Sequence, residues 1–293
     1  MEQLVTLYRE RLNLQDATFR CIEHEDAMVA KVFKVILPSG SECVLKVCER
    51  PNDFLREVYF LRCLEKSIPV PRIIDRVQPE PGIHGAILME CLPGALLTMH
   101  DLTDELAYEI GSCFARIHLH RRTGFGDLIH PHDLIQDARV PFAQKFAEGF
   151  TECSNHLPRH LLEQCRRLLD THIDLLQTVD GPCIIHRDFR PGNILVSHGK
   201  LVGIIDWSSA RAGFSQEDFC PLEHGEWPSH KNAFLAGYRS IRLVPDYKSM
   251  MPLLRLHRAF ATIGFTVKTG TWNSQHSRLY QRDRRFLEAM FED

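Results

Sequence analysis

Two short apolar runs bracket a polar loop near residue 190, and few folds accommodate that order. Ile184-Ile185 and Ile194-Leu195-Val196 read as buried strands, yet the chain between them runs His186-Arg187-Asp188-Phe189-Arg190-Pro191-Gly192-Asn193. A third apolar run, Val202-Gly203-Ile204-Ile205, ends directly on Asp206-Trp207. Short apolar runs bounded by turn residues are the signature of core strands. The chain is therefore expected to carry strands near 183–186, 194–197 and 201–205. Together they deliver a carboxylate, an amide five residues on, and a second carboxylate thirteen residues after that.

That set of groups has a specific chemistry. Phosphoryl transfer from ATP needs a carboxylate to orient and deprotonate a hydroxyl, with an amide and a second carboxylate to hold Mg²⁺. The spacing H-R-D-x-x-x-x-N, followed by a strand-borne Asp, fits it. Asp188 is the candidate base. Asn193 and Asp206 offer the oxygen ligands that a hard cation prefers. Lys46 supplies a point charge for the α- and β-phosphates, and Glu57, eleven residues later, is its expected ion-pair partner. A strand lysine alone is ordinarily solvated; Lys46 gains its meaning from Glu57 and the loop downstream. His186 reads as a hydrogen-bonding scaffold and Arg187 as a surface charge.

Upstream, Arg20–Glu23 and Val29–Leu37 read as strands. Pro38-Ser39-Gly40 is a turn signal before a third strand, Glu42–Cys48. Alternation puts Cys43, Leu45 and Val47 on one face of that strand and Val44, Lys46 and Cys48 on the other. A helix is expected over 54–66, capped by Asn52 or Asp53, with Phe54, Val58, Leu61 and Leu64 inward. A strand follows at Gly85–Glu90, then a connector, Leu92-Pro93-Gly94. Helices are expected over Thr103–Leu119, near 141–154 and 158–178, and through much of 229–292. A strand-rich first third before a helical remainder predicts an α+β chain of two lobes. The boundary falls at 94: a small β-rich N-terminal lobe over 1–94 and a larger, mainly helical lobe over 95–293.

Composition excludes some classes. Among 293 residues, 44% are hydrophobic and 25% charged, and the net charge is −3, so no overall field favours nucleic acid. No apolar run reaches the ~18–20 residues that cross a bilayer, and the N-terminus has no signal-peptide core. Ten cysteines without C-x-x-C spacing fit reduced thiols in a cytoplasmic enzyme. His156 and His160, near Cys153, lack convergent partners and read as ordinary histidines rather than a zinc site.

The strings H-R-D-F-R-P-G-N-I-L-V and I-I-D-W resemble the aminoglycoside phosphotransferase and choline kinase family, small-molecule relatives of protein kinases. E-C-V-L-K-V (42–47), L-M-E-C-L-P-G (88–94), G-S-C-F-A-R-I-H (111–118) and F-L-A-G-Y (234–238) resemble other stretches of it, over about residues 20–240. The resemblance implies a bilobal protein-kinase-like fold with the nucleotide between the lobes. It places adenine on the hinge backbone near Glu90 and Leu92, makes Asp218 a brace for the catalytic loop, and makes 121–180 a helical insertion beside the substrate. One departure is the phosphate-covering loop expected at Glu23–Val29. It contains no glycine to let backbone N–H groups approach phosphate, which leaves GTP as an alternative to ATP.

The acceptor is left open. Glu217, Glu223, Glu226 and Asp246 could line a pocket for a cationic amino-sugar, or simply be solvated. Trp227, Tyr238, Tyr247 and Trp272 could cage a quaternary ammonium such as choline, or be core. The leading expectation is a kinase for a hydroxyl on a small molecule: aminoglycoside-like, an amino-alcohol or a sugar metabolite. Alternatives are a choline or ethanolamine kinase, a catalytically weak kinase-fold ligand-binding protein, and a protein kinase. No nucleic-acid or membrane partner is expected.

Overall fold

Alternation in the first ninety residues builds an antiparallel sheet with two buried faces. The computed structural model describes residues 1–22, 30–223, 227, 229–274 and 277–292. Helix α1 (Glu2–Arg11) precedes strands β1 (Thr18–Ile22), β2 (Ala30–Ile36) and β3 (Glu42–Cys48). Helix α2 (Pro51–Leu64), β4 (Ile73–Val77) and β5 (Gly85–Glu90) complete the region, and the strands lie in the order β1-β2-β3-β5-β4. The two faces of β3 serve different clusters. Cys43, Leu45 and Val47 pack with Leu88 of β5 and Tyr8 of α1. Cys48 joins Ile87, Met89 and the α2 residues Phe54, Leu61 and Leu64. Lys46 shares this second face, as the period of two requires.

Three local readings are corrected. Neither Asn52 nor Asp53 caps α2. The helix opens at Pro51, whose fixed φ and missing N–H suit the first turn, with Arg50 at the N-cap. The Asp53 carboxylate instead binds Arg50 at 2.6 Å and Arg56 at 3.4 Å. Helix α1 and edge strand β4 were not anticipated. α1 buries only Tyr8, whose hydroxyl donates to His84 O at 2.7 Å, so its apolar stripe is faint. β4 pairs with β5 through a register irregularity between Ile73 and Asp75, which blurs its alternation.

The rest is mainly helical, as expected. After β6 (Ala95–Leu96) come α3 (Asp104–His118), α4 (Arg139–Cys153) and α5 (Arg159–His172). Then follow β7 (Cys183–Ile185), β8 (Ile194–Ser197), β9 (Lys200–Ile204) and β10 (Arg211–Gly213). Five helices close the chain: α6 (Ser215–Asp218), α7 (Cys220–Glu223), α8 (Lys231–Arg239), α9 (Met251–Lys268) and α10 (Ser277–Ala289). β6-β8-β9 form one small sheet and β7-β10 another. The polar loop of residues 186–193 therefore leaves one sheet and enters the other. Gly94 sits at φ 109° where a Cβ would overlap the Val196 carbonyl, so only glycine lets the connector lie against β8. Among the described residues no helix is long and apolar enough to cross a membrane.

The helical core centres on Phe114, fully buried against His118, Phe189, Phe219, Phe234 and Tyr238. Burying such a ring contributes about 1.5–3 kcal/mol. α3 and α8 approach closely through glycines: a methyl on Gly111 would overlap the Phe234 carbonyl, and one on Gly237 the Tyr108 carbonyl. Because the obstructing atoms are backbone, Gly111→Ala or Gly237→Ala should each destabilise the protein by about 1–3 kcal/mol in equilibrium urea unfolding. Unchanged midpoints would show that the helices can slide apart at little cost.

Candidate active site

β3, α2 and the end of β9 bring three of the expected residues into contact. Lys46 Nζ lies 2.9 Å from Glu57 Oε2 and 2.8 Å from Asp206 Oδ1. The lysine side chain is 11% exposed and the glutamate 2%, whereas Asp206 is 42% exposed and so faces the open side. Burial alone lowers the Lys46 pKa, but the carboxylates of Asp206 and Glu57 more than reverse this, and it ends well above its ordinary value. Burial likewise pushes Asp206 up; the charge and hydrogen bond of Lys46, with a bond from Ser208, overcome it and hold the carboxyl far below the usual range. Glu57, the most enclosed of the three, is raised by burial.

The loop of residues 186–193 is held by a different carboxylate. Asp218, buried on α6, accepts from the backbone N–H of His186 at 2.7 Å and of Arg187 at 2.6 Å, and contacts His118 Nε2 at 3.2 Å. Since the carboxylate can only accept, His118 donates from Nε2, and its Nδ1, 2.9 Å away, receives the Tyr238 hydroxyl. Burial keeps His118 below its ordinary pKa, consistent with that neutral ring. His186 Nε2 meets Ile205 O at 3.1 Å, so this histidine bridges the loop to the strand that carries Asp206. Arg187 and Asp206 both adopt left-handed backbone, at φ 67° and 63°, a conformation that non-glycine residues keep only where their surroundings enforce it.

Asn193 Nδ2 donates to both Asp188 O and Asp188 Oδ2 at 2.8 Å, and Ile205 N donates to Asn193 O at 3.0 Å. These bonds set Asn193 between Asp188 and the residue before Asp206. Among the described residues, Asn193 Oδ1 and Asp206 Oδ2 accept no protein hydrogen bond. An amide and a carboxylate oxygen are donors that suit a hard cation such as Mg²⁺. Asp188 is further approached by Arg190 Nε at 3.2 Å and by Arg258, from α9, at 3.9 Å.

Glu90 and Leu92 lie apart from this cluster, at the end of β5 and just after it. The Glu90 N–H is committed to Arg72 O at 2.9 Å, and Leu92 packs against Gly203, where a Cβ would strike it. The expected phosphate loop at 23–29 and Glu226 lie outside the described residues. Arg187 is not the surface charge that its sequence context suggested: it is mostly buried and binds Glu217 at 2.8 Å. The aromatic residues do not form an open cage. Trp227, Tyr238 and Tyr247 are buried, and Trp272 packs on His156 with ring centroids 5.0 Å apart. Arg258 and the Arg56–Asp127 pair were not foreseen, because each lies far in sequence from the motif.

His257 stacks on Phe142 at 4.3 Å beside Glu217, and burial pulls its pKa down to about 4. A histidine whose pKa is lower when folded binds fewer protons in the native state, so stability is lost as pH falls from about 6.5 toward 4. Replacing it, as in His257→Phe, should remove roughly 3 kcal/mol of that loss. Urea unfolding at pH 7 and pH 4 reads the difference, and an identical acid limb in the variant would contradict it.

Comparison with known proteins adds to this geometry. The model of the phosphotransferase enzyme family matches residues 25–253. The fold is similar to that of aminoglycoside phosphotransferase APH(4)-Ia, with a TM-score of 0.73 and 16% identity over 100% of both chains. A thermostable mutant of that enzyme, in ternary complex with ADP and hygromycin B, gives 0.71 and 15% over 98% of this chain and 99% of the other. ADP-bound APH(2'')-Ib gives 0.68 and 17% over 99% of each. No curated protein matches the chain significantly by sequence.

Proposed function

The chain belongs to the phosphotransferase enzyme family, and from that premise we propose that it transfers the γ-phosphoryl group of ATP to a hydroxyl of a small molecule. The observation that carries the reading is Lys46 held between Glu57 and Asp206, with Asn193 and Asp188 bonded together in the adjoining loop. The protein parts of phosphoryl transfer are positioning and charge, and these five residues supply both.

In this reading Lys46 binds the α- and β-phosphates, and Glu57 keeps its ammonium aimed at them. Asn193 and Asp206 would hold Mg²⁺, which when bound would neutralise the charge of the phosphate oxygens. Asp188 accepts a hydrogen bond from the acceptor hydroxyl and takes its proton as the new P–O bond forms. Asn193 Nδ2 fixes the Asp188 carboxylate in rotation for that task, and Asp218 fixes the backbone that presents it. Glu90 and Leu92 are assigned to the adenine edge, with the lobes dividing at about residue 94. Ten free cysteines suit a reducing cytoplasm. The nucleotide complexes of the structural neighbours support ATP as donor.

Asp188→Asn keeps the shape of the side chain and removes its basicity. Acceptor-dependent ADP release should fall by about 10²–10⁴-fold, while calorimetric binding of Mg·ATP stays within a few-fold of the parent. Turnover near the parent level would remove Asp188 from the role of base.

A further inference from the structure

A pocket lies beside the catalytic loop, between β10, α4 and α9. Its wall includes Phe125, Phe142, Phe214, Arg211, Glu217 and His257. Two links tie it to Asp188. Glu217 binds Arg187, the residue before Asp188, and His257 is followed by Arg258, which reaches Asp188 Oδ1 at 3.9 Å. Strand pairing agrees, since Arg211 lies opposite Ile185, three residues before Asp188.

The carboxylates near Arg211 are already committed. Glu217 binds Arg187 at 2.8 Å, and Asp127 binds Arg56 through Nε at 2.8 Å. The other basic side chain of the wall, Lys145, turns its ammonium to Glu148 at 2.6 Å. His257 is kept neutral by burial. Arg211 is the remaining cation. It is partly buried and lines the pocket, and its guanidinium forms no hydrogen bond or ion pair among the described residues. Burial and the nearby charge of Arg187 depress its pKa to about 9, outweighing the opposite pull of Glu217 and Asp127. A partly buried guanidinium whose neighbouring carboxylates are bonded to other arginines is incompletely compensated, and a ligand anion relieves that cost.

The same region offers little to a polycation. Of the described acids expected to greet an amino-sugar, only Glu217 lines the pocket, and it is paired with Arg187 at 2.8 Å; Glu223 is paired with Lys231 at 2.5 Å. We propose that this pocket receives a carboxylate or phosphate carried by the hydroxyl acceptor, with Arg211 as the residue that recognises it. The assignment rests on the phosphotransferase reading and narrows it from small hydroxyl compounds in general to anionic ones. A planar guanidinium presents paired donors that match either anion.

The test is calorimetry on the full chain saturated with Mg·ADP. The probes are D-glycerate, glycerol 3-phosphate and inorganic sulfate, with glycerol as the neutral and kanamycin as the polycationic comparator. At least one hydroxylated anion should bind more tightly than glycerol or kanamycin. Arg211→Gln should weaken it at least tenfold, and Arg211→Lys should recover part of the loss, which separates recognition from a failure to fold. The proposal is overturned if no anion binds, if Arg211→Gln binds as well as the parent, if kanamycin binds tightest, or if sulfate binds while both hydroxylated anions are excluded. The preceding Mg·ADP titration is a separate readout. Its failure would defeat the phosphotransferase reading, whatever the anions do.

Discussion

One ammonium group joins the parts of this protein that must act together. Lys46 comes from the middle of a sheet strand, Glu57 from the helix after it, and Asp206 from the end of a strand 160 residues downstream. Each charge would be costly to bury alone, and each is satisfied only when the three elements are in register. The contact therefore does more than hold a lysine. It sets the distance between the sheet that bears Lys46 and the strand end that bears Asp206, the residues proposed to hold phosphate and metal. A half-exposed Asp206 beside a nearly buried Glu57 also gives the triad a direction: one carboxylate anchors, the other faces the open side.

The second organising device is Asp218. It receives two consecutive backbone N–H groups and a histidine, and so fixes the loop without occupying the side chains of Asp188 and Asn193. Asn193 then couples Asp188 to the Asp206 strand through its side chain and its carbonyl. The proposed reacting groups are positioned by hydrogen bonds to residues that are themselves buried, the arrangement that keeps small errors in geometry out of a site.

Much of this was legible in the sequence because it is local. The loop from His186 to Asn193 and the strand into Asp206 are contiguous, and the faces of β3 follow from a period of two. What could not be read depends on contacts without a sequence spacing. Arg187 looked solvated because nothing nearby in sequence announces Glu217 as its partner. Arg258 lies seventy residues from Asp188, and Arg56 seventy-one from Asp127. The cap of α2 was misread because Pro51 sets the first turn and Asp53 is drawn to two arginines. Trp227, Tyr238 and Tyr247 could be core or cage by composition; only packing decided for core.

Lys46, Glu57, Asn193 and Asp206 are proposed to form a metal-dependent nucleotide site. Calorimetric titration of ATP in the presence and absence of Mg²⁺, on the parent and on Asp206→Asn, tests it most directly. One-to-one binding should tighten with Mg²⁺ and lose that dependence in Asp206→Asn. Binding indifferent to both the metal and the substitution, or no binding at all, would contradict it.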